Sequence, residues 1–81
     1  MLGWSRFEFY IYFSDEGQSE PLASVLMHKG FRIESRSAEE DGWLVLAIKR
    51  THAFELPFLE SSLEHLAAEH GGDYDGYSRA V

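Results

Sequence analysis

The stretch His65–Val81, "HLAAEHGGDYDGYSRAV", holds two glycines, a tyrosine between two aspartates, then a third glycine and a second tyrosine. Three readings compete for it: a metal site, an active-site loop, or the handover from a helix to a last strand. The handover needs no chemistry. Gly71 accepts the left-handed conformation that ends helices, and Gly72 continues the turn. Strand alternation then predicts Tyr74 toward the core and Asp73 and Asp75 toward water. Gly76, inside the strand, predicts a bulge or a close backbone approach. If residues 73–79 are a strand, the whole chain falls into a repeating order of elements.

Upstream of that stretch, "LPFLESSLEHLAAEH" places Leu59, Leu63, Leu66 and Ala67 on one stripe, with Ser61, Glu64 and Ala68 opposite, the pattern of an amphipathic helix from about Pro57. Before it, "WLVLAIKR" is apolar on both faces and predicts a central strand, with Leu44, Leu46 and Ile48 on one side and Trp43, Val45 and Ala47 on the other. "FRIESRS" alternates, with Phe31 and Ile33 facing one way, and "AEEDG" after it is a polar turn. Leu22, Val25 and Leu26 make the buried stripe of a first helix that Ser19 can cap, that tolerates Pro21 in its first turn and that stops at Gly30. In "WSRFEFYIYF", Phe7, Phe9, Ile11 and Phe13 alternate with Arg6, Glu8, Tyr10 and Tyr12, the period-2 signature of a first strand.

The order is β-α-β-β-α-β. Right-handed crossovers fold it into an antiparallel sheet with both helices on one face, the ferredoxin-like α+β arrangement, as a single domain over residues 1–81. The first and third strands form the central pair. Phe7, Phe9, Ile11, Leu44, Leu46 and Ile48 are expected to meet the helices, leaving Tyr10, Tyr12, Trp43 and Val45 on the helix-free face. So apolar a patch predicts a covering partner, either a protein or a second copy in a homodimer.

Composition narrows the function. A chain of 81 residues buries only about 60–65% of its unfolded surface, so most apolar side chains are needed for the fold itself. Without cysteine there are no disulfides or thiolate metal sites. No signal-type leader and no apolar run of about 20 residues occurs, so the expected compartment is the cytoplasm. Net charge is −7, and from Glu55 to Val81 six acids face one base, Arg79. Such a chain repels phosphate backbones and attracts basic partners, so direct nucleic-acid binding is not expected.

Catalysis finds little support. Zinc on a helix needs ligands one turn apart, and in "HLAAEH" the five-residue step turns His70 away from His65. Asp73 and Asp75 share a strand face, yet no third ligand accompanies them. Nucleophile motifs and phosphate-binding glycine patterns are absent. The expectation is a non-enzyme without metal or cofactor. RNA-recognition domains share this element order and stack bases on their central strands, but "DGWLVLAI" has Asp41 where they carry a base, and Val45 and Ile48 where they carry aromatics. A small ligand-sensing domain of the same fold is a further alternative.

The segment Gly71–Tyr77, with Gly-Gly, Tyr-Asp-Gly and an aromatic, resembles the C-terminal signature of the RraB family, the regulators of ribonuclease activity B, in which tryptophan often stands at the position of Tyr77. "AIKR" and the unit "LPFLESSLEHLAAEHGGDYDGY" are also similar to that family. The resemblance implies a ferredoxin-like protein that binds ribonuclease E, or a related basic RNA-processing partner, and restrains RNA cleavage without catalysis of its own. The candidate partner-binding residues are Tyr10, Tyr12 and Trp43 on the sheet, Asp73 and Asp75 in the acidic segment, and Tyr77 of the motif. Asp73, Asp75 and neighbouring glutamates would compete with RNA phosphates for arginine-rich segments of the partner.

Overall fold

A computed structural model of the chain describes residues 3–80. The first strand, β1 (Trp4–Phe13), follows the alternation: Phe7, Phe9, Ile11 and Phe13 are buried under the helices while the residues between them face the other way. Helix α1 (Glu16–His28) begins earlier than Ser19 would have it. Asp15 is the N-cap, its Oδ1 accepting from the Gln18 N–H at 2.9 Å. Ser19 is instead buried in the helix and donates its hydroxyl to the Glu16 carbonyl at 2.6 Å. Pro21 therefore sits inside the helix rather than in its first turn, which leaves the Gly17 carbonyl without its usual donor. Leu22 and Leu26 are fully buried, and the helix ends at Lys29 and Gly30.

Strands β2 (Arg32–Ser37) and β3 (Trp43–His52) are joined by a short 3-10 turn, Glu39–Asp41. That turn fixes the register: Ser37 lies opposite Trp43 and Ile33 opposite Ala47, and Ala38 N–H donates to the Gly42 carbonyl at 2.8 Å. Here the expected orientation of β3 is overturned. Trp43, Val45 and Ala47 pack with the phenylalanines of β1 beneath the helices, whereas Leu44, Leu46 and Ile48 lie on the helix-free face with Tyr10 and Ala38. Because β3 is apolar on both faces, alternation alone gave no preference, and pairing with β2 decided it. The three aliphatics are nonetheless buried. Tyr10 and Tyr12 flank them on β1, and Arg32, Glu34 and Arg36 on β2, whose stems cover apolar surface while their charges reach water.

Helix α2 (Leu56–Glu69) buries Leu63 and Ala67, with Leu59 and Leu66 packed alongside. It hands over to β4 (Asp73–Arg79) through the two glycines quoted first. Gly71 has φ +78°, the left-handed cap, and Gly72 lies so close to Phe13 that a Cβ there would sit 2.6 Å from the ring. Gly72→Ala should therefore cost about 1–3 kcal/mol, the usual penalty for forcing atoms into a packed core, measured as a fall in the urea midpoint at unchanged slope. An unchanged midpoint would mean that the Phe13 ring moves aside freely.

The strand order is β2-β3-β1-β4, antiparallel throughout, with β1 and β3 central as expected. With α1 over β2 and β3 and α2 over β4, this is the ferredoxin-like α+β fold. No helix among the described residues is long and apolar enough to cross a membrane.

Candidate protein-binding surface

The bulge expected at Gly76 is present: the β1–β4 register shifts between Phe9 and Ile11, so Tyr10 faces the pair Asp75–Gly76. It puts two tyrosines of β4 on the same side. Tyr74 lies opposite Ile11 and Tyr77 opposite Phe9, both toward the helices. Tyr74 is half-buried against the core, and its hydroxyl donates to Glu60 Oε2 on α2 at 2.6 Å. Burial first, then that bond to a carboxylate, push its phenol well above the ordinary tyrosine value, so it stays a donor. Tyr77 is 42% exposed, its ring edge-on to Phe7 and tilted against Phe9. The two tyrosines seal the edge of the core.

Of the six candidate residues, the sheet brings together three. Tyr10, Tyr12 and Asp73 share the helix-free face, with Tyr12 directly opposite Asp73. Tyr10 is half-buried, its hydroxyl within 2.9 Å of Ser78 Oγ on β4. Asp75 is exposed at the bulge. Tyr77 points to the helix side, and Trp43 belongs to the helix-side core, so neither joins the tyrosines of β1. The indole of Trp43 is held there with its Nε1 buried and without a hydrogen-bond partner among the described residues.

Tyr12 and Asp73 open onto a broad groove of about 970 Å³ at the end of the sheet where β1 and β2 finish and β3 and β4 begin. Arg36, Glu39, Glu40 and Leu44 complete its walls, and the Gly71–Gly72 backbone borders it. Three carboxylates thus face one guanidinium beside a 36% exposed tyrosine ring. Glu40 adopts a left-handed conformation, φ 60° and ψ 39°, which is uncommon outside glycine and asparagine and projects the acidic turn at this groove. Sequence reasoning read "AEEDG" only as a turn. Its acidic run was the available signal, but nothing local placed it beside Asp73.

The histidines are occupied otherwise. The Nδ1 atoms of His28 and His70 lie 2.9 and 2.8 Å from the carbonyls of Ser24 and Leu66, one helical turn back. His65 lies 3.9 Å from Glu69 on the exposed side of α2. No group of three metal-ligating side chains converges among the described residues.

Nothing among curated proteins matches the chain. Residues 5–78, from the second residue of β1 to the penultimate residue of β4, match the family "Regulator of ribonuclease activity B", and with nearly its whole length in that match the protein belongs to the RraB family.

Proposed function

We propose that the protein regulates RNA turnover in the cytoplasm, without catalysis, by binding a basic segment of ribonuclease E or a related RNA-processing protein and so reducing RNA cleavage. One observation carries the reading: the groove lined by Asp73, Glu39 and Glu40, with Arg36 as its one basic side chain, and by the exposed ring of Tyr12. A guanidinium entering it can pair with carboxylates through its planar fork and rest its face on the phenol ring. Asp75, exposed at the adjoining bulge, adds negative charge. The same guanidinium would otherwise hold an RNA phosphate, which is how occupancy of the groove lowers cleavage. Homodimerisation through the helix-free face loses its premise, because Trp43 and Val45 lie on the other side and the remaining aliphatics are already covered. The proposed complex needs one copy.

The test is cleavage of a labelled RNA by purified full-length ribonuclease E with increasing amounts of the protein. Asp73→Asn combined with Glu39→Gln and Glu40→Gln should weaken inhibition about tenfold or more and flatten its salt dependence, since complementary charge acts on encounter and is screened. If the triple variant inhibits like the parent, the groove is not the contact. If the parent neither binds the enzyme nor slows it, the functional reading fails.

A further inference from the structure

The helix-free face is not uniform from end to end. The groove lies where β1 ends, and near the opposite end of the central strands Arg6 on β1 stands directly opposite Arg50 on β3. Like charges directly opposite destabilise a sheet, and an anion between them would relieve that. Both guanidiniums are exposed, and neither forms a salt bridge among the described residues. The nearest acid on this face of β1 is Glu8, opposite Ile48, and Glu55 follows Phe54 in sequence.

One step further along the same two strands, Trp4 pairs with His52. The Trp4 and His52 rings meet edge to face at 5.5 Å, and His52 stacks on Phe54 at 4.9 Å with an interplanar angle of 15°. The Phe54 N–H donates to His52 Nδ1 at 3.2 Å, which ties the imidazole to the turn carrying Phe54. Trp4 is 60% and Phe54 81% exposed, so the two outer rings of this chain of three present open surface to solvent. Neither is needed to close the core, which lies on the other side of the sheet.

Charge is uneven along the helix-free face. Of the seven Lys and Arg, four (Arg6, Arg32, Arg36 and Arg50) lie on it, interleaved with Glu8, Glu34 and Asp73. Arg32 pairs with Glu34 and Arg36 lines the groove, which leaves Arg6 and Arg50 as the pair at the far end. Helix α2 carries Glu60, Glu64 and Glu69 and no Lys or Arg. Net charge, which made a polyanion an unexpected ligand, is an average over two unlike surfaces, and binding responds to the local field.

From the paired arginines beside open rings, we infer that this end of the sheet binds single-stranded RNA, with a phosphate held between Arg6 and Arg50 and unpaired bases stacked on Trp4 and Phe54. An acidic peptide would use the guanidiniums and leave the rings idle, and a duplex would keep its bases from them, whereas an unpaired nucleotide uses both. The inference goes beyond regulation through a protein contact: it gives the chain a hold on the RNA as well, at the end of the sheet opposite the groove.

The experiment is fluorescence anisotropy of a labelled oligoadenylate of about 12 nucleotides, titrated with the full chain at about 50 and about 200 mM salt. Saturable binding is expected. One neutralised phosphate gives a log–log salt slope of about −0.7, so the fourfold rise in salt should weaken binding about two- to threefold. Trp4→Ala should weaken it about tenfold, and Phe54→Ala, at a still more exposed position, provides a second test should Trp4→Ala fold poorly. Arg6→Ala with Arg50→Ala should remove most of the salt dependence. A polyglutamate peptide of equal charge should not compete. Absence of saturable binding at the lower salt, or parent-like binding by both the ring variants and the arginine variant, would overturn the inference. Equal competition by polyglutamate would overturn it in favour of an acidic protein segment.

Discussion

Phe9→Ala should destabilise the protein by about 3–5 kcal/mol, the usual range for deleting a large buried aromatic. The side chain is fully buried at the centre of β1, opposite Ala47 on one neighbour and Tyr77 on the other. Its ring meets Phe31 edge-on at 6.1 Å and Tyr77 at 5.9 Å, so truncation forfeits two aromatic contacts as well as burial. A domain of this length has roughly 4–12 kcal/mol in all. The loss therefore takes a large fraction of the total, and each kcal/mol moves the thermal midpoint by about 4–8 °C. Thermal and urea unfolding followed by circular dichroism would register it. Tyr10→Ala, on the other face of the same strand, gives the contrast: its ring is half-buried and should cost clearly less. Equal losses from the two substitutions would mean that β1 does not present one face to the helices.

Trp43→Ala is the second large effect, about 3 kcal/mol or more, and it should appear in stability rather than in binding. On a helix-free, partner-facing surface, truncation of Trp43 would leave the fold intact and abolish capture of the partner, as for an interface anchor. Instead Trp43 packs beside Phe13, its register partner, under the helices. Trp43→Phe separates packing from polarity. It keeps most of the ring and removes an N–H that is buried without a partner among the described residues, a group that itself costs about 1–3 kcal/mol, so it should be far milder than alanine. Urea unfolding of both variants beside a ribonuclease-binding assay decides the matter. A stable Trp43→Ala that fails to bind would mean that the β2–β3 register is displaced by one residue.

The elements of this fold were legible wherever one physical pattern acted alone. Strand β1 has a single apolar face, so alternation gave its core side directly, and the stripe Leu59, Leu63, Leu66 and Ala67 did the same for α2. Gly71 and the bulge at Gly76 follow from what glycine permits. What escaped was information held between elements. The two faces of β3 are both apolar, and only the turn Glu39–Asp41, by setting Ser37 against Trp43, selects which goes under the helices. A bulge was foreseen, but its effect on Tyr77 depends on which residue of β1 it opposes. The groove combines Tyr12, Asp73 and the Glu39–Glu40 turn from distant parts of the chain, and the Arg6–Arg50 pair exists only through β1–β3 register. Residue types were visible beforehand, but their meeting places were not.

The bulge has a further consequence for the life of the chain in a crowded solution. Strand β4 is one border of the sheet, and a border strand offers unpaired N–H and C=O groups to any extended polypeptide that drifts past. At Gly76 the backbone turns to φ +107°, so the row of outward amides changes its spacing partway along, and Asp73 and Asp75 guard the stretch before it. The opposite border, β2, alternates Arg32, Glu34 and Arg36 on its solvent face, so a second β2 arriving in register meets like charge. A passing chain can begin to zip onto either border but cannot run its length. The irregularity that turns Tyr77 toward the core also interrupts the border along which a small, aromatic-rich protein could otherwise template fibres.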